Sequence, residues 1–233
     1  MTLKVHKLIQ LIKESESLCS KDWLAINAAF FQDEHILLFA KRLMYYYEHG
    51  ASKVLPLPNF SEEVTPDVMD SFLVFEPMIE ALQQRGFTDD NTNRSLVSKT
   101  IQEVAFEHIL VIMGQRQTPS TIKTVEGLPL KKDALLEGCF KPFNNQISVG
   151  VRAWEKHTDR TEDTFWGDVK GSPQEKQENV KAIITNIMNN YTWWNTFHHY
   201  KHGIVYEIRI ESGHGMRWSY PDQLLIGFLE PFL

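Results

Sequence analysis

The 233-residue chain is poor in cysteine. Cys19 and Cys139 are its two thiols, with no motif around either. That excludes a disulfide-framed scaffold and points to a reducing compartment, where an isolated cysteine serves as a small hydrophobe. Long apolar runs are missing too. Stretches such as Ile36–Ala40 fall far short of the roughly 20 residues a membrane span requires. Lys4, Lys7 and Lys13 interrupt the first segment, so no apolar signal core is read there. These absences predict a soluble, cytoplasmic protein with no membrane partner. Positive charge is in deficit as well. Lys and Arg number 24 against 30 Asp and Glu, for a net charge of -6. A balance of that sign argues against a nucleic-acid partner held by bulk electrostatics.

Several chemical signatures are also absent. The chain has no GxGxxG, no GxxxxGK[ST], no GxSxG, no HExxH and no CxxC. The standard phosphate cradles, the serine-hydrolase elbow and the common zinc patterns are therefore excluded, and no cofactor is assigned. A carboxylate-bridged metal site in the helical half fails on spacing. Glu107 and His108 are adjacent and diverge by about 100° on a helix, whereas such sites use Glu and His three apart.

What is present is ordinary globular material, with 42% hydrophobic and 23% charged residues. The pattern predicts an α+β fold. A helical region over 1–117 packs on a small, mostly antiparallel C-terminal sheet carrying one capped helix. The second region, 118–233, ends in a three-strand meander, and the two are read as one compact unit. In the first region Ser20 opens a second helix and Gly50 closes a third. Thr65-Pro66-Asp67 starts a helix running to Gly86 that Pro77 kinks or splits. Residues 87–94 read as a polar loop, and 95–114 as one amphipathic helix. In the second region the alternation of Ile147, Val149, Val151 and Ala153 reads as a strand. Ser172-Pro173-Gln174-Glu175 is a capping box opening a helix to about Asn190. Ile204–Glu211, Met216–Tyr220 and Leu224–Leu229 are the meander strands.

The chemistry is unevenly spread. Arg152–Trp218 holds five of the nine histidines and five of the six tryptophans. Three clusters stand out within it. The first carries Arg152, Lys156, His157 and Arg160, followed by Trp166. The second, 191–200, holds Trp193, Trp194, His198 and His199 and reads as an aromatic connector. The third sets Glu207 and Arg209 two apart on one strand, with Arg217 on the facing strand and His214 between glycines. Guanidinium groups at Arg152, Arg160, Arg209 and Arg217 suit phosphate or carboxylate binding. His157 and His214 suit proton transfer, with Glu207 orienting a partner, and Trp166 or Trp218 would wall the pocket. The function this predicts is binding or turnover of a small anionic ligand, with a hydrolase as one form of it. The alternative is a non-enzymatic module that docks another chain, or a second copy of itself, through the aromatics of 191–200.

Overall fold

The structure, a computed structural model, describes residues 2–50, 56–160 and 163–232. The fold is α+β. Among the described residues, helices fill the N-terminal part and a four-stranded antiparallel sheet closes the chain. None of these helices is long and apolar enough to cross a membrane. The chain divides into two compact units. One comprises Met1–Val54, Val64–Gln117 and Ile122–Leu128; the other comprises Leu55–Glu63, Thr118–Thr121 and Pro129–Leu233.

The first unit contains α1 (Leu3–Ser15), α2 (Lys21–Asn27), α3 (Asp33–His49), α4 (Val68–Leu73), α5 (Glu76–Gln84), α6 (Asn91–Glu103) and α7 (Phe106–Met113). Its ends follow local chemistry. The Ser20 hydroxyl accepts from the Trp23 N–H to cap α2, and Gly50 terminates α3 at φ +79°. The helix expected from Thr65 begins instead behind Asp67, whose carboxylate accepts from the Met69 N–H. Pro77 lies in the first turn of α5, so one expected helix is two. The polar stretch 87–94 is half helical, because Asp90 caps α6 through the Asn93 N–H. The expected helix 95–114 breaks at Val104, where ψ is 146°. That break separates α6, buried on one side, from α7, whose Ile109–Met113 are buried all round.

The second unit contains α8 (Lys132–Phe140), α9 (Val149–Thr158), α10 (Pro173–Asn190) and strands β1 (Trp193–His199), β2 (Gly203–Arg209), β3 (Gly215–Ser219) and β4 (Leu225–Leu229). Among its described residues it therefore carries three α-helices where one was expected, and the fourth strand of the sheet is β1, formed by the segment expected to be an aromatic connector. The strand expected at 147–153 is the start of α9. Ser148 caps it by accepting from the Val151 N–H, and the buried Val151 and Trp154 share the helical spacing of three. Alternation over four residues cannot tell that spacing from a strand. The capping box at Ser172–Glu175 is formed in both directions, and α10 ends at Asn190.

The strands run in the order β1-β2-β3-β4, each antiparallel to the next. Trp194 faces Ile208, and Glu207 faces both Asn195 and Arg217. The 118–121 segment covers the outer edge of β1 through a Thr121–Phe197 bridge and a His198 N–H bond to the Ser120 carbonyl. Both faces of the sheet are covered within this unit. On one, the Trp218 indole donates to the Leu135 carbonyl of α8. On the other, Phe60 and Phe232 stack on each other and edge against Trp193. This is why Val205 through Arg209 are buried without alternation. The paired indoles of Trp193 and Trp194 are buried in β1 for the same reason, not presented as a docking patch.

Candidate active site

A cavity of about 150 Å³ opens along β4, lined by Ala153, Lys156, His157 and Arg160 of α9 and its C-terminal end, by Arg217 of β3, and by the 226–229 stretch of β4. Local structure explains the convergence. Lys156 and His157 occupy the last turn of α9, where cations meet the negative end of the helix dipole. Arg160 follows one turn on. Arg217 pairs in register with Gly227, and a Cβ built at Gly227 meets nothing within 4 Å. The missing side chain leaves the neighbouring space open.

His157 is held from behind. His157 Nε2 lies 2.7 Å from Glu230 Oε1, and the Trp166 indole N–H donates to the same oxygen at 3.1 Å. His157 and Trp166 meet edge to face at 4.7 Å. With Nε2 committed to Glu230, Nδ1 is the ring nitrogen left to exchange a proton. His214 also packs edge to face on Trp166, at 5.4 Å; its Nε2 lies 2.7 Å from Asp163 Oδ2, and its Nδ1 lies 2.8 Å from Ser212 Oγ. His214 stacks on Phe165 at 3.9 Å and is buried. The His214 bond is the largest influence on Asp163, and with the Phe165 N–H it holds that carboxyl below the usual range. Asp163, His214 and Glu230 each bring one ligand atom within 4.8 Å of the others, a set with the donors for a divalent ion.

The arginine pair is arranged differently. Glu207, only 1% exposed, accepts from Arg209 Nε through Oε1, and from Arg217 Nε at 2.7 Å and Nη2 at 2.6 Å through Oε2. Arg209 also donates to the carbonyls of Gly213 and Glu230 and lies 3.8 Å over the Phe232 ring. It is committed to the fold around it. Arg217 remains partly open and reaches the cavity.

The predicted site residues thus separate. His157, Arg160 and Arg217 meet at one cavity, with Trp166 directly behind. His214 is buried against the same Trp166 ring, and through Asp163 it joins the cluster that contains Glu230, the partner of His157. Glu207 and Arg209 are buried together under the sheet face. Trp218 is fully buried on the opposite face, its indole donating to the Leu135 carbonyl, and it is not among the residues lining this cavity. Arg152, expected on a strand of the same sheet, lies on α9 with its guanidinium 5.8 Å from the Phe143 ring. Sequence reasoning missed Asp163 and Glu230. Glu230 lies 73 residues from His157, and nothing in the local pattern marks a carboxylate beyond the last strand as a histidine's partner.

Residues 136–230 match the family model of the CdiA C-terminal tRNase toxin domain. The match covers less than half of the 233 residues, but it contains the whole cavity and both histidine–carboxylate pairs. No curated protein and no solved structure matches the chain. The family is described by its action on tRNA, and the likeness overturns three expectations. These are the small anionic ligand in a His/Arg/Trp pocket, the non-enzymatic docking module at 191–200, and the exclusion of nucleic acid as a partner. The last failed because net charge averages over the whole surface, whereas Lys156, Arg160 and Arg217 concentrate three cations at one cavity.

Proposed function

We propose that this protein is a ribonuclease that cuts tRNA, working at the β4 cavity. The observation that carries the reading is that a cavity lined by Lys156, His157, Arg160 and Arg217 lies wholly inside the segment resembling a tRNase domain. The proposed substrate also bears on location, since tRNA is a cytoplasmic molecule and the reaction belongs in that compartment.

In this reading Lys156, Arg160 and Arg217 hold the scissile phosphate and stabilise the charge that builds on its oxygens. Glu230 fixes the His157 ring with Nε2–H toward the carboxylate, which leaves Nδ1 as an acceptor. Nδ1 takes the proton from the ribose 2′-hydroxyl. The 2′-oxygen bonds to phosphorus as the bond to the 5′-oxygen breaks. The leaving oxygen takes a proton from solvent, and the imidazolium returns its own. The products are a 2′,3′-cyclic phosphate and a 5′-hydroxyl. His214 is a positioning residue here, holding Asp163 and the turn that carries Trp166 against Glu230.

The test is incubation of the full-length protein with total tRNA, followed by gel separation and mapping of the ends. Wild type is expected to give discrete fragments with cyclic-phosphate ends. His157→Ala should lose about 100-fold or more in rate, the range for a removed general base. Intact tRNA, or full activity in His157→Ala, overturns the reading. Fragments with 5′-phosphate ends would replace this mechanism with one using water activated by an ion at Asp163, His214 and Glu230.

A further inference from the structure

The β1–β2 hairpin ends in a group of rings that the cleavage chemistry leaves unused. His199 pairs with Gly203, and Tyr200, Lys201 and His202 form the tip. The turn closes through the His202 N–H to the His199 carbonyl, and the Lys201 N–H donates to His199 Nδ1 at 3.2 Å. Gly203 takes φ +69°, a conformation that suits glycine. These bonds place three rings in near-parallel planes. His199 lies 4.8 Å from Tyr200 at 30° and 4.9 Å from His202 at 27°. Tyr200 is 87% exposed, the highest value among the described large hydrophobic side chains. Burial and the nearby Arg217 charge push the His199 pKa down, which favours the neutral ring.

A single exposed ring is ordinary on a protein surface; what marks Tyr200 is its place in a group of stacked rings beside a cation. Its surroundings narrow what it fits. Lys201 Nζ lies 5.8 Å from the Tyr200 ring centre, and no acidic residue occurs from His198 to Ile204. Along the strand, Phe197 shares the face of His199, and the Arg217 guanidinium lies 5.6 Å from its ring. Arg217 is also a wall of the cavity. A row of flat rings interleaved with cations therefore leads from the cavity to the hairpin tip. Stacked rings beside phosphate-binding cations are how proteins hold unpaired nucleotides.

We infer that the Tyr200 hairpin is a stacking platform for unpaired nucleotides next to the cleaved bond, with Lys201 on their backbone. It rests on the ribonuclease reading for its role in cleavage, while RNA binding by itself can be read without cleavage. The experiment uses the full-length protein with a fluorescently labelled unstructured RNA decamer, followed by anisotropy, and the tRNA cleavage assay in parallel. Tyr200→Ala is expected to weaken decamer binding about tenfold, within the range for losing one stacked base. Tyr200→Phe should restore it, since the ring and not the hydroxyl does the stacking. In cleavage, the loss from Tyr200→Ala should fall on KM rather than on kcat. The position is exposed, so the fold should survive, and a circular dichroism melt checks it. Unchanged decamer affinity in Tyr200→Ala, or no decamer binding by wild type, overturns the inference. Decamer binding that depends on Tyr200 with tRNA left intact would keep the platform and fail the ribonuclease reading instead.

Discussion

Glu207 holds two guanidinium groups with one carboxylate, in a place water scarcely reaches. Such an arrangement is expensive to build and more expensive to break, because removing the acid leaves the buried Arg209 with carbonyls and a ring but without its anion. Glu207→Ala is therefore expected to cost about 3–5 kcal/mol, read from urea unfolding. A loss below about 1 kcal/mol would show that water or another anion already serves these arginines. Cys139 shows a quieter use of burial. Burial raises its pKa to about 12, so at neutral pH it is a packed thiol rather than a nucleophile. Its hydrogen bond with Trp218 works the other way and is too small to reverse this. The residue types that attracted notice in the sequence thus divide by environment. A histidine beside a cavity can exchange a proton, and one sealed under Phe165 holds its neighbours in place.

At the scale of elements, β4 is the strand that makes room. Gly227 faces Arg217 in the ladder, a Cβ there meets no neighbour, and its φ lies outside the left-handed region. Gly227→Leu should therefore fold, with a stability change within about 1 kcal/mol, while its side chain occupies the cavity. We expect tRNA cleavage to fall at least about tenfold, tracked beside a thermal melt. Full cleavage by a folded Gly227→Leu protein would remove the cavity from the reaction. Gly138 has the opposite role. A Cβ there would collide with the Gln223 carbonyl, so α8 approaches the turn before β4 only because this helix position is bare. Much of this element structure was legible beforehand. The capping box at Ser172, the Gly50 terminus and the split at Pro77 rest on contacts within a few residues. The break at Val104 and the helical start of α9 were not legible. There, short apolar patterns fit two periods, and packing decided between them.

For the whole molecule, a net charge of -6 opposes binding a polyanion by bulk electrostatics. The cations named for contact are few: Lys156, Arg160 and Arg217 at the cavity and Lys201 at the hairpin. Each neutralised phosphate of a single strand contributes a slope of about -0.7. Four contacts predict that log affinity for the RNA decamer falls with log salt at a slope of about -3. A titration from low to physiological salt measures it. A slope near zero would mean that stacking alone holds the RNA, and that these cations serve elsewhere.

The sequence by itself determined the α+β class, several helix ends, the last three strands of the sheet, and the segment in which titratable side chains concentrate. Those follow from caps, periodicity and composition, which act over a few residues. Only the tertiary structure decided which of those side chains share a space. His157 found Glu230 and His214 found Asp163 across 73 and 51 residues, while Glu207 and Arg209 were drawn under the sheet and Trp218 to its other face. Such pairings depend on strand order and on how helices cover the sheet, because burial and the pairing of charge are properties of surfaces brought together from distant parts of the chain.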